Sequence, residues 1–417
     1  VSLISILIHY QSPLQIRALL NLAMFIALFF GFHRFWCLGG SPNRVTQVLL
    51  VTACIMAIYA LLQDYGIDFA TPTGGVRDWR SKVIASLGNP NFLAGYLGIF
   101  LPIVLGYGLR KNTGLGGFFA SSGALLSITA CITVTFSVGT TSSLIGSLFI
   151  TIITALVLLR RIRISILKCL FFLVLILVAV GWYMLENPYN SHGRSLYRQA
   201  WESPQWWSGV GSRILNWQTT RLMIEEAPCT GIGFGNYLAV HEQYQGYNYK
   251  KQWHAHDRDY VVPVDQPHFQ LLETAAELGP LGVFALCWLV AAWVKAAMWT
   301  LRHSNHSWFA WGSYAGVWVA LIHTFSDFPF HLPASSLLIV VLGSYLVAYP
   351  APKSSPPYPV PSWTKTICIA IAIVLSVNAY MQFLGNHYLR KGYESEGLDS
   401  IYYLDKWFSL KNLSWST

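Results

Sequence analysis

The chain has 417 residues, of which 54% are hydrophobic, 15% aromatic and only 11% charged, with a net charge of +9 and a mean hydropathy of +0.45. A soluble chain carries about 25% charged residues, so this composition excludes a soluble globular enzyme, a disordered chain and a nucleic-acid binder working through a basic face. What remains is an all-α, polytopic integral membrane bundle, because runs of about 20 apolar residues match the roughly 30 Å hydrocarbon core.

In chain order, ten uncharged runs read as spans: 16–36, 45–63, 91–109, 116–137, 141–159, 164–184, 280–300, 307–325, 334–349 and 365–384. Val1 rather than Met opens the chain, and Ser2 to His9 reads as the stub of an earlier span, so an N-terminal part is expected to be missing. No cleavable signal peptide is visible. Four parts follow: N-terminal spans (1–184), a large outer loop expected to form a helical cap (185–279), C-terminal spans (280–384), and an amphipathic outer tail (385–417) expected to begin a truncated domain. The Pro-rich stretch from Pro350 to Ser362 reads as an extended connector.

Assigning the loops alternately to two sides separates the charge. One side takes Arg34, Arg44, Arg110, Lys111, Arg160, Arg161, Arg163, Lys168, Lys295, Arg302, Lys353 and Lys365, with no acidic residue; the other takes every Asp and Glu, for a balance of +12 against −3. Short loops rich in Lys and Arg stay in the cytoplasm, which puts the 64–90 loop, the 185–279 loop and the tail outside. Six of the seven cysteines lie in or beside spans and only Cys229 sits in the large loop, so no disulfide can form within that loop.

With no carboxylate inside a span, ion-coupled transport is disfavoured. His323, Asp327 and His331 have i, i+4, i+8 spacing, but Pro329 breaks the helix and Ser326 to Pro333 reads better as an outer turn. The chemistry is therefore sought at the outer face. There the large loop carries Trp201, Trp206, Trp207, Trp217 and Trp253, whose faces suit either sugars or an interfacial aromatic belt. Ser212 to Ala227 has helical spacing that directs Arg213, Trp217 and Arg221 to one side, where guanidinium groups could fork onto phosphate oxygens or pair with Glu225, Glu226 or Glu242. The Gly231 to Asn236 segment, GIGFGN, lacks the strand of a dinucleotide site and reads as a tight turn that lets backbone approach a neighbour. His254 and His256 near Asp257 and Asp259 give a weak metal signal that a solvated cluster explains better. In Asp265 to Gly282, DQPHFQLLETAAELGPLG, Pro267 suits a first helical turn, so His268 is expected beside free N–H groups that keep its ring neutral and able to accept a hydroxyl proton. Local hydrogen bonding alone accounts for that histidine equally well. Glu273 and Glu277 fall on one face, which argues for a basic partner or solvent there.

Four segments, Ser86 to Leu97 (SLGNPNFLAGYL), Arg213 to Tyr237, Pro267 to Gly282 and Phe325 to Ala334 (FSDFPFHLPA), resemble in order and topology the O-antigen ligase and Wzy-polymerase-like superfamily over roughly residues 45–349. The resemblance implies a bacterial inner-membrane glycosyltransferase facing the periplasm. Such an enzyme moves a glycan from an undecaprenyl-diphosphate carrier to a hydroxyl acceptor (a lipid A-core sugar, a growing glycan or a protein), with no nucleotide sugar, cofactor or metal. By motif match His268 is the general base and Arg213, with Arg221 beside it, contacts the diphosphate; Trp217 and Glu277 support them. Members often carry a Ser-Arg pair where this chain has Phe136 to Leu144 without arginine. Arg77, Arg80 and Lys82 in the first outer loop, next to Asn89 and Asn91, are expected to substitute. The motifs do not choose among ligase, polymerase and protein O-glycosylase, and some relatives have been proposed as transporters.

Overall fold

A computed structural model describes residues 13–68, 83–110, 112–158, 165–190, 195–201, 204–252 and 266–348, together with Ser2, Ser5, Ile401, Tyr402 and Lys406. Twelve helices are delimited along these segments: α1 (Pro13–Cys37), α2 (Pro42–Asp64), α3 (Pro90–Leu109), α4 (Leu115–Thr135), α5 (Val138–Val157), α6 (Ile166–Met184), α7 (Leu196–Trp201), α8 (Pro204–Glu226), α9 (Tyr237–Gln252), α10 (Gln270–His303), α11 (Ser307–His323) and α12 (Pro333–Ala348). No strand occurs among the described residues. The chain divides into two units; residues 1–61 and 83–351 form one, and the other, 62–82 and 352–417, has few described residues.

Seven of the helices are long and apolar enough to cross a membrane, as expected of a multi-pass protein. Their outward faces carry Val51, Ile55, Leu148, Phe149, Leu167 and Trp288, all exposed, which is the surface hydrocarbon covers rather than water. Nine of the ten expected spans correspond to helices α1–α6 and α10–α12; the tenth, 365–384, lies outside the described residues.

α11 is the central post. It packs against α3, α5 and α12, and buries Phe309, Trp311, Tyr314 and Val319. Close approach to α3 depends on absent side chains: a Cβ on Gly316 would stand 2.7 Å from the carbonyl oxygen of Ile99, and one on Gly312 would stand 3.0 Å from Ile103 Cα. Small residues at such crossings let backbones meet where no water-driven force holds helices together. Two hydroxyls inside the bundle tie helices together: Ser147 donates to the Ala315 carbonyl at 2.6 Å, and Thr154 shares a hydrogen bond with the Tyr314 hydroxyl at 3.0 Å.

The two ends of the bundle differ. Where α1 meets α2 and α3 meets α4, Arg110 donates to Asn43 at 2.9 Å, lies 4.2 Å from the centre of the Tyr107 ring, and offers its carbonyl to Lys168 at 2.9 Å. Arg34 and Arg302 end α1 and α10. At the opposite end, about 30 Å away along α3 by helix rise, lie the starts of α3, α5, α10 and α12 and the end of α11.

Outside the spans, α8, α9 and the first turns of α10 form a cap with its own small core of Met223, Ile232, Tyr237 and Ala276, flanked by Ile224 and Val240. Burying each large apolar side chain contributes roughly 1.5–3 kcal/mol. The Tyr237 hydroxyl, sunk in this core, is held by the Thr220 hydroxyl at 2.8 Å.

Candidate functional site

The end of the bundle remote from the arginines gathers polar groups from several helices. α10 begins at Gln270 with Phe269 as its N-cap, so Pro267 precedes the helix instead of occupying its first turn. His268 adopts a left-handed backbone, φ 56°, which non-glycine residues hold only when surrounding structure imposes it. This corrects the expectation of a ring set beside the first helical N–H groups. Three contacts impose the conformation. The indole of Trp217 on α8 donates to the Pro267 carbonyl at 3.0 Å, the amide of Gln270 donates to the Thr324 carbonyl at 3.1 Å, and Phe269 packs between Trp217 and Phe325 with ring centres 6.0 and 5.1 Å away.

The His268 ring leans on Phe328 at 5.0 Å between centres, and Phe328 in turn meets Phe92 of α3 at 5.0 Å. Its Nδ1 lies 3.5 Å from Oδ1 of Asp327, while the side chain as a whole keeps 24% of its surface exposed against 2% for the aspartate. The carboxylate thus sits behind the ring, and the ring retains access to solvent. A buried carboxylate at that nitrogen orients an imidazole and stabilises the imidazolium formed when the opposite nitrogen takes a proton. In the sequence Asp327 stands in the i, i+4, i+8 series with His323 and His331 and in the Phe325 to Ala334 motif, and neither placed it beside His268. α11 ends at His323 and the chain turns, as expected for Ser326 to Pro333, so His331 swings away while Asp327 stays beside His323. One signal pointed to it: Asp327 is the sole acidic residue between Glu277 and Glu394.

His331 faces Glu273, with Nε2 to Oε1 3.3 Å, and its Nδ1 meets Gln266 Nε2 at 3.3 Å. The ring is partly shielded yet keeps 36% of its side-chain surface exposed; that shielding disfavours its charged form, but the charge and hydrogen bond of Glu273, with Glu277 beyond, outweigh it and hold the His331 pKa above the ordinary imidazole value. Glu273 therefore has the basic partner its spacing called for. Glu277 accepts instead from the amide of Tyr237 at 3.0 Å, at the first turn of α9; burial and the neighbouring Glu273 push its carboxyl pKa up to about 8, and the amides of Tyr237 and Gly235 offset only part of that. The glycine turn makes this possible. The amides of Ile232 and Gly233 donate to the carbonyls of Ala276 and Glu277 at 2.8 and 3.1 Å, and Gly231, at φ 70°, lies against the main chain of Glu277 and Leu278. This is the close backbone approach expected of GIGFGN.

Arg213 stands one turn before Trp217 on α8, near enough to His323 for their charges to interact, and its Nε is shut off from solvent. Arg221 does not join it. Eight residues of helix rotate about 80° away from the starting direction, and Arg221, 78% exposed, instead pairs with Glu225 at 2.6 Å. Asn89 caps α3, accepting from the amide of Asn91 at 2.8 Å, which sets the helix start that carries Phe92. In the stretch without arginine, Ser137 caps α5 and Gly139 abuts Ser326 and His323. Arg77, Arg80, Lys82, His254, His256, Asp257 and Asp259 lie outside the described residues. Among the described residues no group of three or more His, Cys, Asp or Glu is placed to hold a metal ion.

Residues 123–287 match the family model for O-antigen ligase. The match spans α4 to the first half of α10, including Arg213, His268 and Glu277, and bears out the family that the motifs resembled. Asp327 and the start of α3 lie beyond it. No curated protein matches the chain.

Proposed function

From this O-antigen-ligase region within a multi-pass membrane protein, we propose a glycosyltransferase of the inner membrane that transfers a glycan from an undecaprenyl-diphosphate carrier to a hydroxyl acceptor at the periplasmic face. The observation that carries the reading is the pair of His268 and Asp327: a partly exposed imidazole backed at Nδ1 by a buried carboxylate. With Nδ1 directed to Asp327, Nε2 is the nitrogen left to accept the acceptor's hydroxyl proton. The acceptor oxygen bonds to the anomeric carbon of the donor as the bond from that carbon to the diphosphate oxygen breaks. The proton stays on His268, and the electron pair leaves with the diphosphate.

Arg213 is the cation proposed to meet that departing charge, since a fixed guanidinium in a site partly closed to water stabilises developing phosphate charge without reorganisation. Arg77 and Arg80 are proposed to add further phosphate contacts. The periplasmic assignment rests on the arginine-rich end of the bundle being cytoplasmic, because the site lies at the other end.

The test is His268→Ala in a host that displays the glycan. Loss of transferred glycan with normal protein level and retained lipid-linked donor is expected; unchanged transfer would overturn the assignment. The lipid-linked and transferred glycans of a strain overexpressing the unaltered chain separate the members of the family, since lengthening on the carrier means a polymerase and transfer off it means a ligase.

A further inference from the structure

Asp327 has a second histidine. Its Oδ1 faces His268 Nδ1 at 3.5 Å, and its Oδ2 faces His323 Nε2 at 3.7 Å. His323 is buried, at 3% exposure, at the last turn of α11. Placing an imidazole there requires space that the neighbouring helices leave open. A Cβ on Gly95 of α3 would stand 2.6 Å from His323 Nε2, and one on Gly139 of α5 would stand 3.3 Å from its Cε1. Two helices thus surrender side chains to seat one ring. Its other nitrogen, Nδ1, lies 3.4 Å from the Ser326 hydroxyl. The charged groups that act on the ring are Asp327 and Arg213, and the main chain of Gly139 and of Asn91 also lies within reach of its nitrogens.

An apolar residue would fill the same socket without desolvating a polar ring, which costs free energy unless the ring is hydrogen-bonded. Both imidazole nitrogens that face Asp327 are closed to solvent and lack a hydrogen bond among the described residues. At 3.5 and 3.7 Å the two contacts lie beyond the usual limit of about 3.2 Å, and catalytic hydrogen bonds commonly tighten only when substrate is bound.

Resting on the glycosyltransferase reading, we propose that His323 is a positioning residue: it holds Asp327 from behind through Nε2–H to Oδ2, so that Oδ1 stays directed at His268. His323 touches neither donor nor acceptor and acts through the aspartate. Without it the carboxylate could rotate away, leaving His268 in the wrong orientation and its imidazolium less stabilised.

The experiment compares His323→Leu, His323→Gln and His268→Ala, each purified with wild-type yield, using a polyprenyl-diphosphate-linked glycan and a lipid A-core acceptor. Glutamine can present an amide N–H near the position of Nε2; leucine cannot. His323→Leu is expected to lower kcat by about 10- to 100-fold, the usual cost of losing a group that orients a site residue, with KM within about twofold. His323→Gln is expected to recover most of kcat. If leucine fails to accumulate, His323→Asn, whose amide is too short to reach, replaces it. Wild-type kcat in His323→Leu, or equal losses in Leu and Gln, would overturn the positioning role. Full transfer by His268→Ala would instead remove the reading beneath it.

Discussion

Replacing Gly231 by alanine would drive a methyl group into the main chain at the start of α10. The added Cβ would overlap the carbonyl of Glu277 and stand 2.6 Å from the amide of Leu278, and these are backbone atoms that cannot rotate aside. The residue also sits at φ 70°, where a Cβ costs about 1–2 kcal/mol. Overpacking of a filled site adds about 1–3 kcal/mol, so Gly231→Ala is expected to destabilise the cap by roughly 2–5 kcal/mol, a large share of typical folding stability. Relief requires the glycine turn and α10 to part, which weakens the hydrogen bonds to Ala276 and Glu277 and the seat of Glu277 on the Tyr237 amide. The assay is the temperature at which half of the detergent-purified protein loses its monodisperse elution peak. A fall on the order of 5–10 °C is expected. Gly246→Ala is the control: it lies in α9 with open space where its Cβ would go, and replacing a helical glycine there stabilises by up to about 1 kcal/mol. If Gly231→Ala melts at the wild-type temperature, the close-approach account of the glycine turn is refuted.

Asp327→Asn should lower transfer by about 10²–10⁴-fold, the range associated with acid–base catalysis, while the glycan donor still accumulates; near-normal transfer would show that His268 works without its carboxylate. Arg213→Ala should reduce transfer sharply and Arg221→Ala much less, since Arg221 is engaged in an exposed pair with Glu225 worth only about 0.3–0.5 kcal/mol; comparison of surface glycan in the two strains decides it. The pair of His331 and Glu273 should stabilise the site in a pH-dependent way. Because the folded pKa of His331 is raised, that contribution is fully present below the ordinary imidazole value near 6.5 and is lost as pH rises through the folded value. His331→Gln should therefore lower the melting temperature more at pH 6 than at pH 8.5, and an equal loss at both would remove the ion-pair explanation.

How far the sequence foretold this arrangement depended on what each feature needs. Spans are local in cause: an apolar run of membrane length is a helix because no other backbone arrangement satisfies its own hydrogen bonds in lipid. Thus α1–α6 and α10–α12 fall where the uncharged runs do. Helical spacing in Ser212 to Ala227 likewise foretold α8, and the glycine content of GIGFGN foretold a close backbone approach. His268 and Arg213 were legible as residue types in an outer loop, whereas the partners of His268 were not. Asp327 reaches it from 59 positions along the chain only because α11 ends at His323 and Trp217 anchors the Pro267 carbonyl. The spacing of Pro267 also misled, since a proline that suits a first helical turn equally suits the extended approach to it, and the tie from Gln270 to Thr324 selects the later start.

The outer loop carries both His268 and Arg213, yet it cannot work by itself. Residues 185–279, released as a soluble domain, would keep the imidazole and the guanidinium but lose Asp327, Phe328 and the Thr324 carbonyl, all supplied by the end of α11 and the turn after it. His268 and Asp327 meet only when α10 and α11 have been inserted and packed. On the proposed function, a partly inserted or clipped chain would therefore be unable to attack glycans, and activity would arise only in the assembled membrane bundle.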